Sequence, residues 1–297
     1  MARPILLSNG ELHVGIDYLG LVHDFYYPYV GLENHSAGSE PRHRVGIWVD
    51  GVISWLDSPG EWTFKFRYPH EALVGNILAK NDKLGVILEF DDFVDSHVSA
   101  FIRNIHIINL RDEKREIRLF MHQAFVIGDS RSNTDTAQYL PDDNAILHYR
   151  GRRAFVVSGV YDDKPFDQHT IGLFGIENKE GTFRDAEDGV LDGNNVEHGR
   201  VDSTIRFTVN VDSNSSARVH YWIAAGKSIR EALYIHSQLQ IDGVVSHLRR
   251  TMDWWHEWLT PAFEVLDKIS VDHRRMFLQS VLILKSQIDK RGAVIAS

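Results

Sequence analysis

The sequence contains no cysteine among its 297 residues. Disulfide bridges are therefore excluded, and so are zinc or iron–sulfur sites that depend on cysteine thiolates. A chain without cysteine suits a reducing compartment, so we expect the protein to be cytoplasmic.

The sequence also lacks a long apolar run and a concentration of positive charge. The apolar stretch at residues 4–7 is too short for a signal-peptide core or a membrane span, so we expect a soluble protein that begins at Met1. The net charge is −9, and the lysines and arginines are dispersed along the chain. Such a charge repels a polyphosphate backbone, and we expect neither a membrane nor a nucleic acid as partner.

Motifs for metals, nucleotides and nucleophilic catalysis are absent or incomplete. His256-Glu257 lacks the second histidine of an H-E-x-x-H zinc site, and no P-loop or G-x-G-x-x-G motif occurs. Residues 128–132 resemble a nucleophile elbow except at the fifth position, where Ser132 replaces the glycine. We expect no metal and no cofactor.

Carboxylates cluster at several places, and calcium ligation or a glycosidase acid and base are conceivable uses for them. No cluster has the register of an EF-hand, and turn capping or solvated loops explain most of them better. The clusters are Asp91, Asp92 and Asp95; Asp142 and Asp143; Asp162 and Asp163; and Asp185, Glu187, Asp188 and Asp192.

Short runs rich in β-branched and aromatic residues fill residues 5–225, with turn signals at roughly ten-residue spacing, as in a sandwich or barrel. Asp50-Gly51 lies between two such runs, and this dipeptide suits the positive φ angles of a type I′ hairpin turn. The sequence therefore predicts a mainly β fold with two large antiparallel sheets. The polar stretches at residues 130–143 and 185–199 are predicted to be surface loops.

Helical periodicity begins after Gly226. Ser228 and Glu231 have the spacing of a capping box and predict the start of a first helix. A second helix is predicted to start at Asp242 as N-cap and to stop at Pro261.

A third helix is predicted to begin at Ser270 and to end at Gly292 as a left-handed cap. Its predicted apolar stripe needs packing partners, yet few residues follow, which indicates a chain cut inside a helical domain. The expected divisions are residues 1–226, a helical linker at 227–269, and the start of a truncated domain at 270–297. The stripe consists of Phe277, Val281, Leu284 and Ile288.

Aromatic residues form two groups. Three tryptophans of the second helix, at positions 254, 255 and 258, are interpreted as interdomain packing. The other group places hydroxyls and a carboxylate beside a proline, which suits either a surface that stacks on sugar rings or an edge strand that packs. Its candidate substrate-binding residues are Asp24, Tyr26, Tyr27 and Tyr29.

Four stretches resemble the amino-terminal region of glycoside hydrolase family 15, in its bacterial and archaeal glucoamylase-type branch, and the resemblance runs nearly the whole chain. They are residues 9–31 (NGELHVGIDYLGLVHDFYYPYVG), 139–151 (YLPDDNAILHYRG), 254–259 (WWHEWL) and 274–297 (RRMFLQSVLILKSQIDKRGAVIAS). The resemblance implies a β-supersandwich, a helical linker and an (α/α)6 barrel whose first helix covers residues 271–289.

The activity implied by this resemblance is inverting hydrolysis of α-glucosidic bonds from non-reducing ends, with one carboxyl group as acid and one as base. Both glutamates of the family lie downstream of Ser297, so no catalytic residue is expected in this chain and it should be inactive alone. The expected partners are an α-glucan oligosaccharide, through the parent enzyme, and the barrel domain of the same chain. Residues 24–34 are expected to face that barrel.

Two alternatives remain. A free-standing carbohydrate-binding module would use the aromatic groups as its ligand platform, although the apolar third helix argues against it. Inverting disaccharide phosphorylases also join a supersandwich to an (α/α)6 barrel.

Overall fold

The structure is a computed structural model that describes residues 3–36, 43–128 and 134–294. The described residues are mainly β, as predicted. Eighteen strands come first and three α-helices follow. The strands are β1 (Ile5–Ser8), β2 (His13–Ile16), β3 (Val22–Tyr26), β4 (Val45–Val49), β5 (Val52–Trp55), β6 (Thr63–Arg67), β7 (Val74–Asn81), β8 (Val86–Val94), β9 (Ala100–Asn109), β10 (Arg115–Ala124), β11 (Asp135–Leu140), β12 (Ala145–Arg150), β13 (Arg153–Tyr161), β14 (Lys164–Pro165), β15 (Gln168–Leu173), β16 (Val196–Gly199), β17 (Val201–Val211) and β18 (Ser216–Gly226).

The strands form three sheets, and every pairing between them is antiparallel. The smallest has the order β1-β2-β3, and a five-stranded sheet has the order β15-β17-β10-β4-β5. The third sheet has ten strands, in the order β16-β11-β12-β13-β18-β9-β8-β7-β6, with β14 paired to β13. This arrangement confirms the prediction of a large antiparallel sandwich.

The main core lies where the three sheets face one another. Val14 of β2, Ile47 of β4 and Phe90 of β8 are all fully buried in it. Along β8, buried residues alternate with partly exposed ones over most of the strand, which is the pattern of a strand with one face on a core. The period-two pattern in β8 therefore arises from burial of one face of this strand.

The predicted hairpin is present. β4 and β5 pair with Val49 opposite Val52, so Asp50 and Gly51 form a two-residue turn. Both residues have positive φ, at 54° and 82°, as a type I′ turn requires.

The predicted loop at residues 130–143 is wrong in its second half, where Asp135–Leu140 forms strand β11. This strand pairs with β12 on one side and β16 on the other. Its sequence, DTAQYL, is polar because only Asp135 and Ala137 are buried, so the hydrophobic signal of a strand is missing. Residues 129–133 lie outside the described residues, and with them most of the motif that resembles a nucleophile elbow.

The first helix, α1 (Ile229–Asp242), begins as predicted. Ser228 is its N-cap, and the Ser228 hydroxyl accepts a hydrogen bond from the backbone N–H of Glu231 at 3.2 Å. The Glu231 carboxylate accepts from the backbone N–H of Lys227 at 2.9 Å, one residue before the position of an ideal capping box. Backbone donors at the helix start are therefore paired with side chains.

Both predicted limits of the second helix, α2 (Val244–Phe263), are wrong. Asp242 is the last residue of α1, and Gly243, whose φ is 73°, separates the two helices. Pro261 lies inside α2, which continues to Phe263. Proline has no backbone N–H and so removes one helical hydrogen bond, and the helix ends two residues after it.

The third helix, α3 (Val271–Ser286), has Ser270 as its N-cap, as predicted, but it ends six residues before Gly292. Its predicted stripe is right for Phe277 and Val281, which are partly buried and pack on the same buried cluster as Leu278, and wrong for Leu284. Leu284 is 66% exposed, whereas Leu278 and Leu282 are 5% and 2% exposed. Helix α3 packs on the sandwich through these two leucines.

A second core joins the helices to the outer face of the ten-stranded sheet. Trp222 of β18, Trp255 of α2 and Leu278 of α3 are buried there, so the predicted packing of the tryptophan group is confirmed for Trp255. The Trp222 indole N–H donates to His236 of α1 at 3.0 Å. None of the helices in the described ranges is both long and apolar enough to cross a membrane.

Candidate functional site

The candidate residues lie on the three-stranded sheet and on the loop after it. Strand β3 carries Asp24 and Tyr26, and Tyr27 and Tyr29 follow the strand. Asp24 is paired in register with Gly15 of β2, where a Cβ atom would lie 2.7 Å from Asp24 Oδ2. Glycine at position 15 therefore leaves room for the carboxylate.

Asp24 is held in an ion pair. Its Oδ2 accepts a hydrogen bond from Arg3 Nε at 2.6 Å, and its Oδ1 accepts one from Asn34 Nδ2 at 3.2 Å. Burial alone would raise the pKa of Asp24, but the hydrogen bond and positive charge of Arg3 outweigh burial and hold this pKa below its ordinary value. Asp24 is therefore a charged group that positions β3 and the loop.

Tyr27 lies in the main core. Its side chain is fully buried, and its ring packs edge-on against the Phe155 ring with 6.2 Å between the ring centres. Its hydroxyl has no hydrogen-bond partner among the described residues. Burial, with the nearby Glu231 and Glu11 charges, raises the pKa of this hydroxyl. A ligand outside the sandwich cannot reach Tyr27 in this arrangement.

His35 supports the backbone of Tyr27. The His35 Nε2–H donates to the Tyr27 carbonyl at 2.6 Å, and its Nδ1 accepts from the backbone N–H of Gly128 at 3.2 Å. Burial lowers the pKa of His35 to about 4, so the ring is neutral at neutral pH. The end of the loop is fixed by a two-pronged ion pair, in which Arg153 Nε and Nη2 each donate to the Glu33 carboxylate at 2.7 Å.

Tyr26 and Tyr29 are only partly buried, and both are linked to the end of α3 or to the chain after it. The Tyr26 ring packs edge-on against the His13 ring, with 5.9 Å between the ring centres. His13 Nδ1 is hydrogen-bonded to the carbonyl of Ser286 at 3.1 Å. The Tyr29 hydroxyl accepts a hydrogen bond from Arg291 Nη2 at 3.3 Å, and this guanidinium lies 4.8 Å from the Tyr29 ring centre. Tyr26 is therefore linked through His13 to the last residue of α3, and Tyr29 contacts the chain that follows α3.

Glu11 connects this region to the helices. Its carboxylate accepts hydrogen bonds from the ammonium groups of Lys227, before α1, and Lys290, after α3. The backbone N–H of Lys290 also donates to the Gly10 carbonyl at 2.9 Å. Sequence reasoning missed Glu11 because its partners are 216 and 279 residues away, and no local pattern marks such a contact.

The acidic group at residues 91–95 does not form a solvated cluster. Asp92 is fully buried and receives two hydrogen bonds from Arg103, at 3.0 and 2.8 Å. Asp95 is also buried, and its Oδ2 lies 2.7 Å from His247 Nδ1 of α2. In the described ranges, no group of three or more histidine, aspartate or glutamate side chains is arranged to hold a metal ion.

Antiparallel sheets in a large sandwich, followed by helices, define the class of the fold. No protein-family model matches the chain, and no curated protein matches it either. Solved structures do match. A bacterial glucoamylase complexed with acarbose superposes with a TM-score of 0.75 at 13% identity, covering 97% of this chain and 41% of the glucoamylase.

A protein described as a kojibiose phosphorylase from the human microbiome also matches, with a TM-score of 0.57 at 9% identity, covering 86% of this chain and 36% of that protein. Identities this low establish the fold alone. The fold is that of the amino-terminal β-sandwich domain of glucoamylase-type enzymes, which confirms the predicted resemblance at the level of structure. The chain spans less than half the length of either protein.

Proposed function

We propose that this chain is the non-catalytic amino-terminal domain and helical linker of a longer glucoamylase-type hydrolase. The parent would catalyse inverting exo-hydrolysis of α-glucosidic bonds in oligosaccharides derived from starch or glycogen. The observation that carries the proposal is the glucoamylase match, which covers 97% of this chain but 41% of the matched protein. The domain limits proposed are 1–226 for the sandwich, 227–269 for the linker and 270–297 for the start of the barrel.

In this proposal the chain contributes one wall of the substrate cleft. Tyr26 and Tyr29 would contact the sugar, because they are partly exposed and lie beside the segment that leads onward from α3. Asp24 and Tyr27 would affect substrate binding only by positioning Tyr26 and Tyr29. Asp24 is held in an ion pair, and Tyr27 is buried. An exo-acting enzyme needs a closed pocket for the substrate end, and a neighbouring domain can supply part of that pocket.

The remaining assignments follow from the same proposal. The partners are an α-glucan oligosaccharide and an (α/α)6 barrel in the same polypeptide, and the acid and base of the reaction are assigned to that barrel. The cytoplasmic location expected from the cysteine-free sequence stays a prediction.

The test is to read the gene beyond the codon for Ser297, express the extended protein, and compare it with this chain. Glucose release from maltotriose and longer maltooligosaccharides should occur with the extended protein and be absent with the 297-residue chain. The anomer released first, followed by NMR, should be inverted. Comparable turnover by the chain alone would contradict the proposal, and so would a stop codon directly after Ser297.

The match to the kojibiose phosphorylase favours one alternative, an inverting disaccharide phosphorylase as the parent. The same assay distinguishes the two reactions. Cleavage of a disaccharide that requires inorganic phosphate and yields a sugar phosphate would replace hydrolysis with phosphorolysis and leave the assignment of this domain unchanged.

A further inference from the structure

A groove on the surface of the chain lies outside the region of Tyr26 and Tyr29. It runs between α3 and residues 67–71, which comprise the last residue of β6 and the chain after it, and its volume is about 720 Å³. Leu278 and Leu282 of α3 line it together with Leu266 and Tyr68. The Tyr68 hydroxyl is hydrogen-bonded to a backbone N–H and a backbone carbonyl of β1, so the ring is fixed in place. The groove therefore has a preformed apolar floor.

The rim of the groove is rich in guanidinium groups. Three arginines, Arg67, Arg274 and Arg275, line it with His70, and Glu71 is the acidic residue among the lining residues. The chain as a whole carries a net charge of −9. Glu89 and Asp267 form ion pairs with Arg67 and Arg274, whereas Arg275 has no ion pair among the described residues. The guanidinium donors that remain unused, rather than an excess of positive charge, point to an anionic ligand.

The guanidinium groups keep donors for a ligand. Arg67 uses Nε on Asn76, at 2.8 Å, and Nη2 on Glu89, at 3.3 Å. Arg274 likewise uses only some of its donors. Its Nε donates to a backbone carbonyl, and its Nη2 donates to a carboxylate that is 98% exposed. Arg275 is exposed and makes no hydrogen bond or ion pair within the described ranges. A guanidinium has five N–H donors, so most of the donors in the groove are unused.

We propose that this groove binds a sugar phosphate. Guanidinium groups match the oxygens of a phosphate in a bidentate way, which ammonium groups do not, and all three cations with fixed charge here are arginines. The apolar face of a sugar ring fits the floor formed by Tyr68 and Leu278. The volume lies in the range of small-molecule sites, about 300–1,000 Å³, whereas an acidic peptide would extend beyond it. This proposal does not depend on the function proposed above.

The test uses the 297-residue chain itself, with isothermal titration calorimetry and thermal unfolding. Glucose 6-phosphate should bind saturably and raise the melting temperature, while glucose should do neither at about 10 mM. Arg275→Ala should weaken binding by about 10-fold or more, because charge-assisted hydrogen bonds are among the strong ones. Arg230→Ala is the matched control, since Arg230 is also exposed on a helix but lies outside the groove.

Three results would overturn the assignment. One is no saturable binding of glucose 6-phosphate, and another is equal affinity in the wild type and the Arg275→Ala and Arg274→Ala variants. The third is equal affinity for inorganic phosphate, because the apolar floor would then contribute nothing. Arg275 is exposed and makes no hydrogen bond or ion pair within the described residues, so its substitution should leave the unfolding temperature without ligand unchanged and the comparison valid.

Discussion

Substitution of Tyr27 by phenylalanine separates a structural role from a ligand-binding role at the candidate site. The Tyr27 hydroxyl is buried without a partner among the described residues. A buried polar group without a hydrogen bond costs about 1–3 kcal/mol. Removal of this hydroxyl should therefore leave the free energy of unfolding unchanged or raise it by about 1 kcal/mol.

Tyr68 provides the matched control. Its hydroxyl accepts from the backbone N–H of Leu6 at 2.6 Å and donates to the Leu6 carbonyl at 3.0 Å. Tyr68→Phe should lower the free energy of unfolding by about 1–3 kcal/mol, because it leaves both backbone groups without that partner. Tyr27→Ala should cost about 3–5 kcal/mol, since it removes a fully buried ring from the core.

The assay is urea unfolding followed by tryptophan fluorescence, which reports on seven tryptophans. If Tyr27→Phe destabilises the chain as much as Tyr68→Phe does, the hydroxyl has a partner and the reasoning fails. A loss of activity in the extended protein with Tyr27→Phe, at unchanged stability, would instead show that this hydroxyl takes part in the reaction.

Three further predictions concern α2, the loop and the buried histidines. Asp95→Asn should lower the free energy of unfolding by about 1.5–3 kcal/mol, because Asp95 holds α2 through His247. Asp253→Asn, at an exposed position of the same helix, should change that free energy by no more than about 0.5 kcal/mol. Equal urea midpoints for the two variants would contradict this prediction. In the extended protein, Tyr29→Ala should lower kcat/KM by about 10-fold, or ~1.4 kcal/mol, with little effect on Tm. The control variant Leu32→Ala should leave kcat/KM unchanged. Equal kcat/KM values for the two variants would remove Tyr29 from the site. Burial lowers the pKa of His148 to about 3. As the pH falls below about 6.5, the His148 side chain is therefore protonated in the unfolded chain before it is protonated in the folded chain. The free energy of unfolding should then decrease by about 1.4 kcal/mol per pH unit through this residue. His148→Gln should reduce that slope in urea unfolding measured from pH 6.5 to 4, and an unchanged slope would show that His148 does not contribute.

Features with a local cause could be predicted from the sequence. The Asp50-Gly51 turn and the Ser228 cap depend on residues within a few positions of each other, and both are present. The buried ion pair of Asp92 and Arg103 could not be predicted, because the sequence around Asp92 resembles an acidic loop. Only the pairing of β8 with β9 shows that the two residues face each other inside the sandwich.

Helix α3 shows why a helix can be predicted correctly while its buried face is predicted only in part. Its apolar residues surround most of the helix between positions 276 and 284, in the sequence MFLQSVLIL. Periodicity alone then allows more than one stripe, and contact with the sandwich selects Leu278 and Leu282. The choice of face is a tertiary effect that a single helix does not encode.

The tyrosine group shows the opposite case, because the alternation of side chains along an extended chain already predicts which of these residues are buried. Phe25 and Tyr27 are two positions apart, and in an extended chain such residues share a face while Tyr26 points away from it. The structure follows this alternation, since Phe25 and Tyr27 are fully buried and Tyr26 is partly exposed. Composition alone treats the three hydroxyls as equivalent, whereas the alternation predicts that only some of them reach a ligand. At the proposed site a sugar would contact Tyr26, as the alternation predicts, and also Tyr29, which lies beyond the strand and is partly exposed although the alternation would place it beside Tyr27. Any effect of Tyr27 on catalysis would then pass through the packing that holds these two residues.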